Sequence, residues 1–189
     1  LSGDMLEGAL IAGLCSVGAN VKLLGVVPTP AVAYLVKQYN ADAGVMISAS
    51  HNPVEYNGIK LFNGDGYKLS DSLEDEIEGI VNGDLSQYLK DNVDLGHVSD
   101  SKNAVKDYVK HLMGTIDDNL DGMNLAVDCA NGSASVTAEM LFKGLGAKPL
   151  LINDEPDGTN INDCCGSTHL ETLSEFMKKH KCQIGFAFD

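Results

Sequence analysis

Residues 123–152 read MNLAVDCANGSASVTAEMLFKGLGAKPLLI, and the order of textures within them decides the fold. Residues 123–127 form a short apolar run that ends at Asp128, 133–145 suit a helix, and 148–152 form a second apolar run. A run of roughly four to eight apolar residues bounded by turn formers predicts a buried strand. The stretch therefore reads strand, helix, strand. A helix over 170–180 and a strand over 183–188 continue the alternation. Alternation of this kind predicts a parallel sheet with helices on its faces, so the expected class is α/β.

Upstream the same signals recur. Residues 4–17 predict a helix, 21–27 a strand, 29–39 a helix entered through Pro28-Thr29-Pro30, and 44–47 a strand. Asn57-Gly58-Ile59-Lys60-Leu61-Phe62 is a further strand-like run, closed by Asn63-Gly64-Asp65-Gly66, with Tyr67-Lys68-Leu69 returning as the other arm of a hairpin. Ser70 or Asp71, with Glu74, suits the start of a helix. Polar residues 82–100 predict loops ahead of a helix around 103–113. A 189-residue chain that is 44% hydrophobic can build two cores. The expected division is 1–118 and 119–189, two consecutive α/β domains, each three-layered with a mixed or mostly parallel sheet.

Net charge narrows the partners. With 27 acidic residues against 13 basic ones the chain carries −14, and no basic stripe is visible. Backbone recognition of nucleic acid needs a basic surface, so the charge argues against nucleic acid as a partner. The acidic clusters at 71–78, 117–121 and 154–163 read as solvated helix or loop faces. No apolar run of about 20 residues predicts a membrane span. Five cysteines, at 15, 129, 164, 165 and 182, lack zinc spacing and fit reduced thiols in cytoplasm. Residues 153–164 faintly match a calcium loop, but Cys164 stands where glutamate belongs. Gly144-Leu145-Gly146 lacks the third glycine of a dinucleotide fingerprint.

Ser50 is the first candidate for chemistry. Gly44-Val45-Met46-Ile47 reads as a buried strand, and Ser48-Ala49-Ser50-His51-Asn52-Pro53 is its exit loop. Ligands of open α/β sheets gather beyond the carboxyl ends of strands. A serine-hydrolase triad fits poorly: His51 is adjacent, where extended neighbours point to opposite faces, and the Gly-x-Ser-x-Gly elbow is missing. A serine that carries phosphate fits better. The phosphoryl group adds about 1.5 to 2 negative charges and needs a cation nearby, for which Lys60 is the first candidate. Lys60 also reads as an ordinary solvent-facing strand residue.

Residues 44–53 followed by Asn57-Gly58-Ile59-Lys60 resemble the phosphoserine loop of the α-D-phosphohexomutases. Ser2-Gly3-Asp4-Met5-Leu6-Glu7 and Val127-Asp128-Cys129-Ala130-Asn131-Gly132 are similar to the same family. Pro156-Asp157-Gly158-Thr159-Asn160-Ile161-Asn162 and Cys165-Gly166-Ser167-Thr168-His169 most resemble its glucosamine-specific branch. The resemblance implies an isomerase that interconverts glucosamine 6-phosphate and glucosamine 1-phosphate through a phosphoserine and glucosamine 1,6-bisphosphate, on the route to UDP-N-acetylglucosamine and cell wall. It implies catalytic roles for Ser50, Lys60 and His51, the last orienting the loop or a phosphate oxygen. It implies Mg2+ bound by Ser50, through its phosphate, and by Asp189.

Ile184-Gly185-Phe186-Ala187-Phe188-Asp189 is similar to the strand that leads into the family's magnesium loop and to that loop's first aspartate. The resemblance therefore implies a fragment, without the remaining metal ligands, the sugar-recognition domain or the last phosphate-binding domain. All 13 basic residues are lysines, whereas planar guanidinium groups grip phosphate bidentately. The 189 residues alone are expected to be inactive. A cytoplasmic location and a homodimer are further expectations. Alternatives are the mannose and glucose branches of the family, or a non-catalytic binding protein with the same fold.

Overall fold

A computed structural model describes residues 2–48 and 50–189; Leu1, in the expected first domain, and Ala49, in the expected phosphoserine loop, lie outside the described residues. The chain divides into two compact units. One comprises Leu1–Gly25, Val32–Ile47 and Ile59–Lys102; the other comprises Val26–Ala31, Ser48–Gly58 and Asn103–Asp189. The boundary is not a single point in the chain. The Ser50 loop groups with the later residues, and the strands on either side of it group with the earlier ones.

In the first unit, α1 (Ser2–Ser16) leads into β1 (Val21–Leu23), and α2 (Thr29–Gln38), which belongs to this unit from Val32 onward, leads into β2 (Ala43–Ile47). β3 (Ile59–Asn63), α3 (Asp71–Val81) and β4 (Val98–Asp100) follow. β1 stops short of the expected residue 27, because Gly25 turns the chain at φ 68°. β4 lies in the polar stretch expected to be loop. It pairs parallel with β1, Val21 opposite Val98, although Val98 is 49% exposed. Backbone hydrogen bonding defines that strand, and no apolar alternation announces it.

β2 and β3 pair antiparallel, with Met46 opposite Lys60. Beyond β3 the expected hairpin forms: the Asn63 side chain accepts from the amides of Asp65 and Tyr67, both at 3.0 Å. Phe62 then bridges Lys68. Gly66 sits at φ 80°, and a Cβ there would run into the Ala33 carbonyl. Ser70 takes the N-cap position of α3 without a side-chain cap bond. Glu74 instead accepts from Lys68 at 3.3 Å, so the capping box does not close.

The second unit is the βα alternation read from residues 123–152. α4 (Ala104–Met113) precedes β5 (Asn124–Asp128), α5 (Ala138–Gly144), β6 (Lys148–Ile152), α6 (Glu171–His180) and β7 (Ile184–Ala187). The sheet is parallel, ordered β6-β5-β7. β5 is its centre: Leu125, Ala126, Val127 and Asp128 are all at most 1% exposed. A central strand covered on both faces needs a continuous apolar run, which Leu125, Ala126 and Val127 supply ahead of Asp128.

The helices lie on opposite faces. Leu125 and Val127 pack in one cluster with Ala138 and Phe142 of α5, and Phe142 stacks on Phe186 of β7 at 5.2 Å. Gly185, one residue away and on the other face, meets Met177 and Leu173 of α6. Each large apolar side chain so buried contributes roughly 1.5–3 kcal/mol. The helix expected over 133–145 breaks at Thr137 into a 3₁₀ turn, Ser133–Val136, and α5. Ser135 Oγ donates to the Gly132 carbonyl at 2.7 Å and Thr137 Oγ1 to that of Ala134 at 3.2 Å. Hydroxyls that bond backward in this way compete with the helical ladder.

Among the described residues, no helix is long and apolar enough to cross a membrane. Replacing Gly66 with Ala combines a strained φ with a backbone collision and should cost about 2 kcal/mol or more. A urea midpoint equal to that of the unsubstituted protein would show that the hairpin tolerates a Cβ at this position.

Candidate functional site

The parallel register of the second unit brings three strand ends to one edge of the sheet. Asp128 ends β5 opposite Ile152 of β6 and Ala187 of β7. Asp189 lies two residues beyond β7, and Asn153 follows β6 directly. The carboxyl edge of a parallel sheet is where ligands of α/β folds bind.

Ser50 reaches this edge within the same unit. Its Oγ donates to Asp189 Oδ2 at 3.2 Å, across 139 residues of sequence. That is longer than the usual 2.7–2.8 Å of a hydroxyl donor. Ser50 has φ 58°, in the left-handed region that a serine rarely occupies. Three contacts hold it there. The Ser50 amide donates to Ser48 Oγ at 3.1 Å, Ser48 donates its amide to the Gly58 carbonyl at 2.8 Å, and Asn162 Nδ2 donates to the Ser50 carbonyl at 3.4 Å. The loop is thus closed at its base and fastened from outside.

His51 is exposed in the same turn. Lys60 lies in the first unit, on β3, and is half-buried, whereas its neighbour Ile59 is 51% exposed. That inverts the burial expected if Lys60 were the solvent-facing residue and Ile59 the packed one. Ser50 and Asp189 are the two candidates brought into hydrogen-bond contact.

Asp128 has a different part. It is 0% exposed and its two oxygens collect three donors. Oδ1 accepts from the Ala130 amide at 2.9 Å and from Asn153 Nδ2 at 3.0 Å, and Oδ2 accepts from the Gly166 amide at 3.0 Å. These bonds hold a backbone in which Ala130 and Asn131 both take left-handed angles, φ 53° and 48°. Alanine has no polar side chain to support that angle locally, so the support comes from outside the residue. The segment 155–162 is tied separately: Asp157 Oδ1 accepts from the Thr159 amide at 2.7 Å, the Thr159 hydroxyl at 2.8 Å and the Asn160 amide at 3.0 Å. The Thr159 bonds hold the Asp157 carboxyl below its ordinary range.

All five cysteines are free thiols. Burial, followed by the charges of Asp154 and Asp128, pushes the Cys129 thiol up from 9.0 to about 12. Burial and Asp128 also raise Cys165. Neither is a nucleophile at neutral pH, since only the thiolate attacks.

A cation at this edge would find hard oxygen donors, the type that Mg2+ prefers. The oxygens in contact there are the Ser50 hydroxyl and the Asp189 carboxylate. Asp128 is already committed to three N–H groups. Among the described residues, no group of three or more His, Cys, Asp or Glu is placed to hold a metal. The fit is that of a partial ligand set.

Two residues escaped sequence reading. Asn162 carries the link to Ser50 and has φ 57° itself, and Asp128 organises the edge instead of presenting a ligand. The only advance sign was chemical: asparagine tolerates the left-handed region, and an aspartate straight after a buried apolar run has to find donors.

Residues 1–87 match the family model described as phosphoglucomutase/phosphomannomutase, alpha/beta/alpha domain I. Over its full length the chain is 57% identical to a phosphoglucosamine mutase of Clostridium beijerinckii and spans 42% of that relative. A phosphoglucomutase/phosphomannomutase family protein from Burkholderia thailandensis superposes with TM-score 0.82 at 28% identity, covering 100% of this chain and 42% of that one. An Aspergillus fumigatus N-acetylphosphoglucosamine mutase, solved with GlcNAc-6P and magnesium, has the same fold at TM-score 0.54 and 18% identity, over 89% of this chain and 48% of its own.

The thiols give a test of burial at this edge. Cys129 should resist a thiol reagent at pH 8 in the native protein while exposed Cys164 reacts. The folded state keeps the Cys129 proton between about pH 9 and 12, where the unfolded chain releases it, so the stability linked to this thiol is present below pH 9 and declines as pH rises through that window. Labelling of Cys129 at the rate of Cys164 would contradict its burial.

Proposed function

We propose that the chain is part of a phosphoglucosamine mutase, because residues 1–87 match the phosphoglucomutase/phosphomannomutase domain I model and the whole chain is 57% identical to a phosphoglucosamine mutase of which it spans 42%. The complete enzyme would interconvert glucosamine 6-phosphate and glucosamine 1-phosphate, supplying amino sugar for UDP-N-acetylglucosamine. The observation that carries the reading is the Ser50 hydroxyl at 3.2 Å from Asp189, on a loop bent into the left-handed region at a sheet's carboxyl edge.

Phospho-Ser50 donates its phosphoryl group to O1 of glucosamine 6-phosphate. The bond from phosphorus to the serine oxygen breaks, a bond to O1 forms, and the O1 proton passes to a basic group. The resulting glucosamine 1,6-bisphosphate turns over and returns its 6-phosphoryl group to Ser50, leaving glucosamine 1-phosphate. Lys60 is the chain's cation or proton-transfer partner for these steps, and His51 orients the loop or a phosphate oxygen.

A phosphate of about −1.5 to −2 beside a carboxylate, in a chain of net charge −14, is strongly repelled unless a cation lies between them. This favours Mg2+, which the Ser50 phosphate and Asp189 would hold. When bound, the ion offsets charge on the transferring phosphoryl group. The expectation of a homodimer draws no support from these relatives, and it is not part of the reading.

In the full-length protein Ser50→Ala should abolish turnover with little change in melting temperature, because a small loop side chain contributes little packing. Near-normal turnover by that variant rules out the phosphoserine mechanism. Lys60→Ala should slow turnover about 10- to 100-fold, the range of a lost charge-assisted hydrogen bond; an unchanged rate would leave Lys60 without a catalytic role. Rates on glucosamine, glucose and mannose phosphates, measured side by side, identify the sugar.

A further inference from the structure

Ser50 and Asp189 are fastened to the same buried carboxylate. On one side, Asp128 Oδ1 accepts from the Ala130 amide at 2.9 Å, the Ala130 carbonyl accepts from the Asn162 amide at 2.9 Å, and Asn162 Nδ2 donates to the Ser50 carbonyl at 3.4 Å. On the other side, Asp128 Oδ2 accepts from the Gly166 amide at 3.0 Å. The next residue, Ser167, donates its amide to the Phe188 carbonyl at 2.9 Å, and the Phe188 amide returns to the Asp128 carbonyl at 2.9 Å. Phe188 is bonded directly to Asp189. Gly166 allows this closeness: it has φ 79°, and a Cβ there would press on the Ala130 side chain and the Phe188 carbonyl.

We propose that Asp128 is a positioning residue that sets the separation of Ser50 from Asp189, with Asn162 as the terminal link of its Ser50 arm. Both arms start at oxygens of one carboxylate, 0% exposed and fixed by three donors, so the two share one anchor. Both oxygens of Asp128 are taken by N–H donors, so its part is to position. The inference rests on the proposed phosphoserine and metal roles of Ser50 and Asp189, and it adds what holds the two in register. Phosphoryl transfer depends on such placement, since small displacements of reacting groups cost large factors in rate.

Two variants of the full-length protein separate the arms. Asp128→Asn keeps the shape but turns one acceptor into a donor that faces N–H groups, and it removes the negative charge to which both arms are bonded. Asn162→Gly removes the Ser50 link alone, and glycine accepts φ 57° without strain. Measurements are kcat and KM for glucosamine 6-phosphate, Mg2+ binding by titration calorimetry, and thermal unfolding. Both variants should lose at least about 10-fold in kcat with KM within about twofold, as expected when placement and not substrate binding is damaged. Mg2+ binding, titrated on the unphosphorylated protein so that the Asp189 arm alone is read, should weaken about 10-fold in Asp128→Asn and stay within twofold in Asn162→Gly.

A lower melting temperature with wild-type kcat and Mg2+ affinity would overturn the proposal, leaving Asp128 a purely structural residue. If Asp128→Asn fails to fold, unchanged kcat in Asn162→Gly overturns it equally. If the wild-type protein turns over none of the hexose phosphates, the functional reading falls, and Mg2+ titration of Asp128→Asn still decides the inference through the Asp189 arm.

Discussion

A carboxylate placed at the end of a fully buried strand has no water to satisfy it, and each oxygen must find donors from the protein. Asp128 finds three, from Ala130, Asn153 and Gly166, which belong to three successive segments after β5, after β6 and before α6. Hydrogen bonds to charged acceptors contribute about 1.5–3 kcal/mol each, so these three loops are bound more firmly than exposed loops ordinarily are. The sheet edge is ordered because one acid at its centre is satisfied by all of them.

The site inherits its geometry from that constraint. Parallel pairing aligns the ends of β5, β6 and β7, and the Asp128 bonds fold the following loops back over the same edge. Left-handed angles at Ser50, Ala130, Asn131, Asn153 and Asn162 mark where the backbone is bent to meet there. Such strain persists when surrounding contacts over-determine it, and it tends to gather where function demands an unusual placement. A serine in this region, its hydroxyl directed at an aspartate 139 residues away, is the geometry on which the proposed phosphoserine and metal roles rest.

Charge adds a second constraint. With 13 lysines, no arginine and 27 acidic residues, the chain has little with which to neutralise a phosphorylated serine. The chain spans 42% of the phosphoglucosamine mutase relative that it matches at 57% identity. Lys60 is the one candidate cation read from the motif. Its half-burial beside an exposed Ile59 shows that strand alternation in β3 does not follow hydrophobicity.

The sequence by itself determined the α/β class, the strand and helix order of residues 123–188, the hairpin at Asn63-Gly64 and the Ser50 loop, because these follow from local periodicity and turn chemistry. It also marked Asp189 through its motif. Tertiary structure alone decided the rest. The pairing of β4 with β1, the break in the helix at Thr137 and the unclosed cap at Ser70 depend on which partners a backbone or hydroxyl finds in three dimensions. Likewise Ser50 meets Asp189 across 139 residues, and Asp128 becomes an anchor instead of a ligand, only once the parallel register has brought distant loops to one edge. Local patterns report what a segment prefers; the hydrogen-bond partner of a buried acid is a property of the assembled sheet.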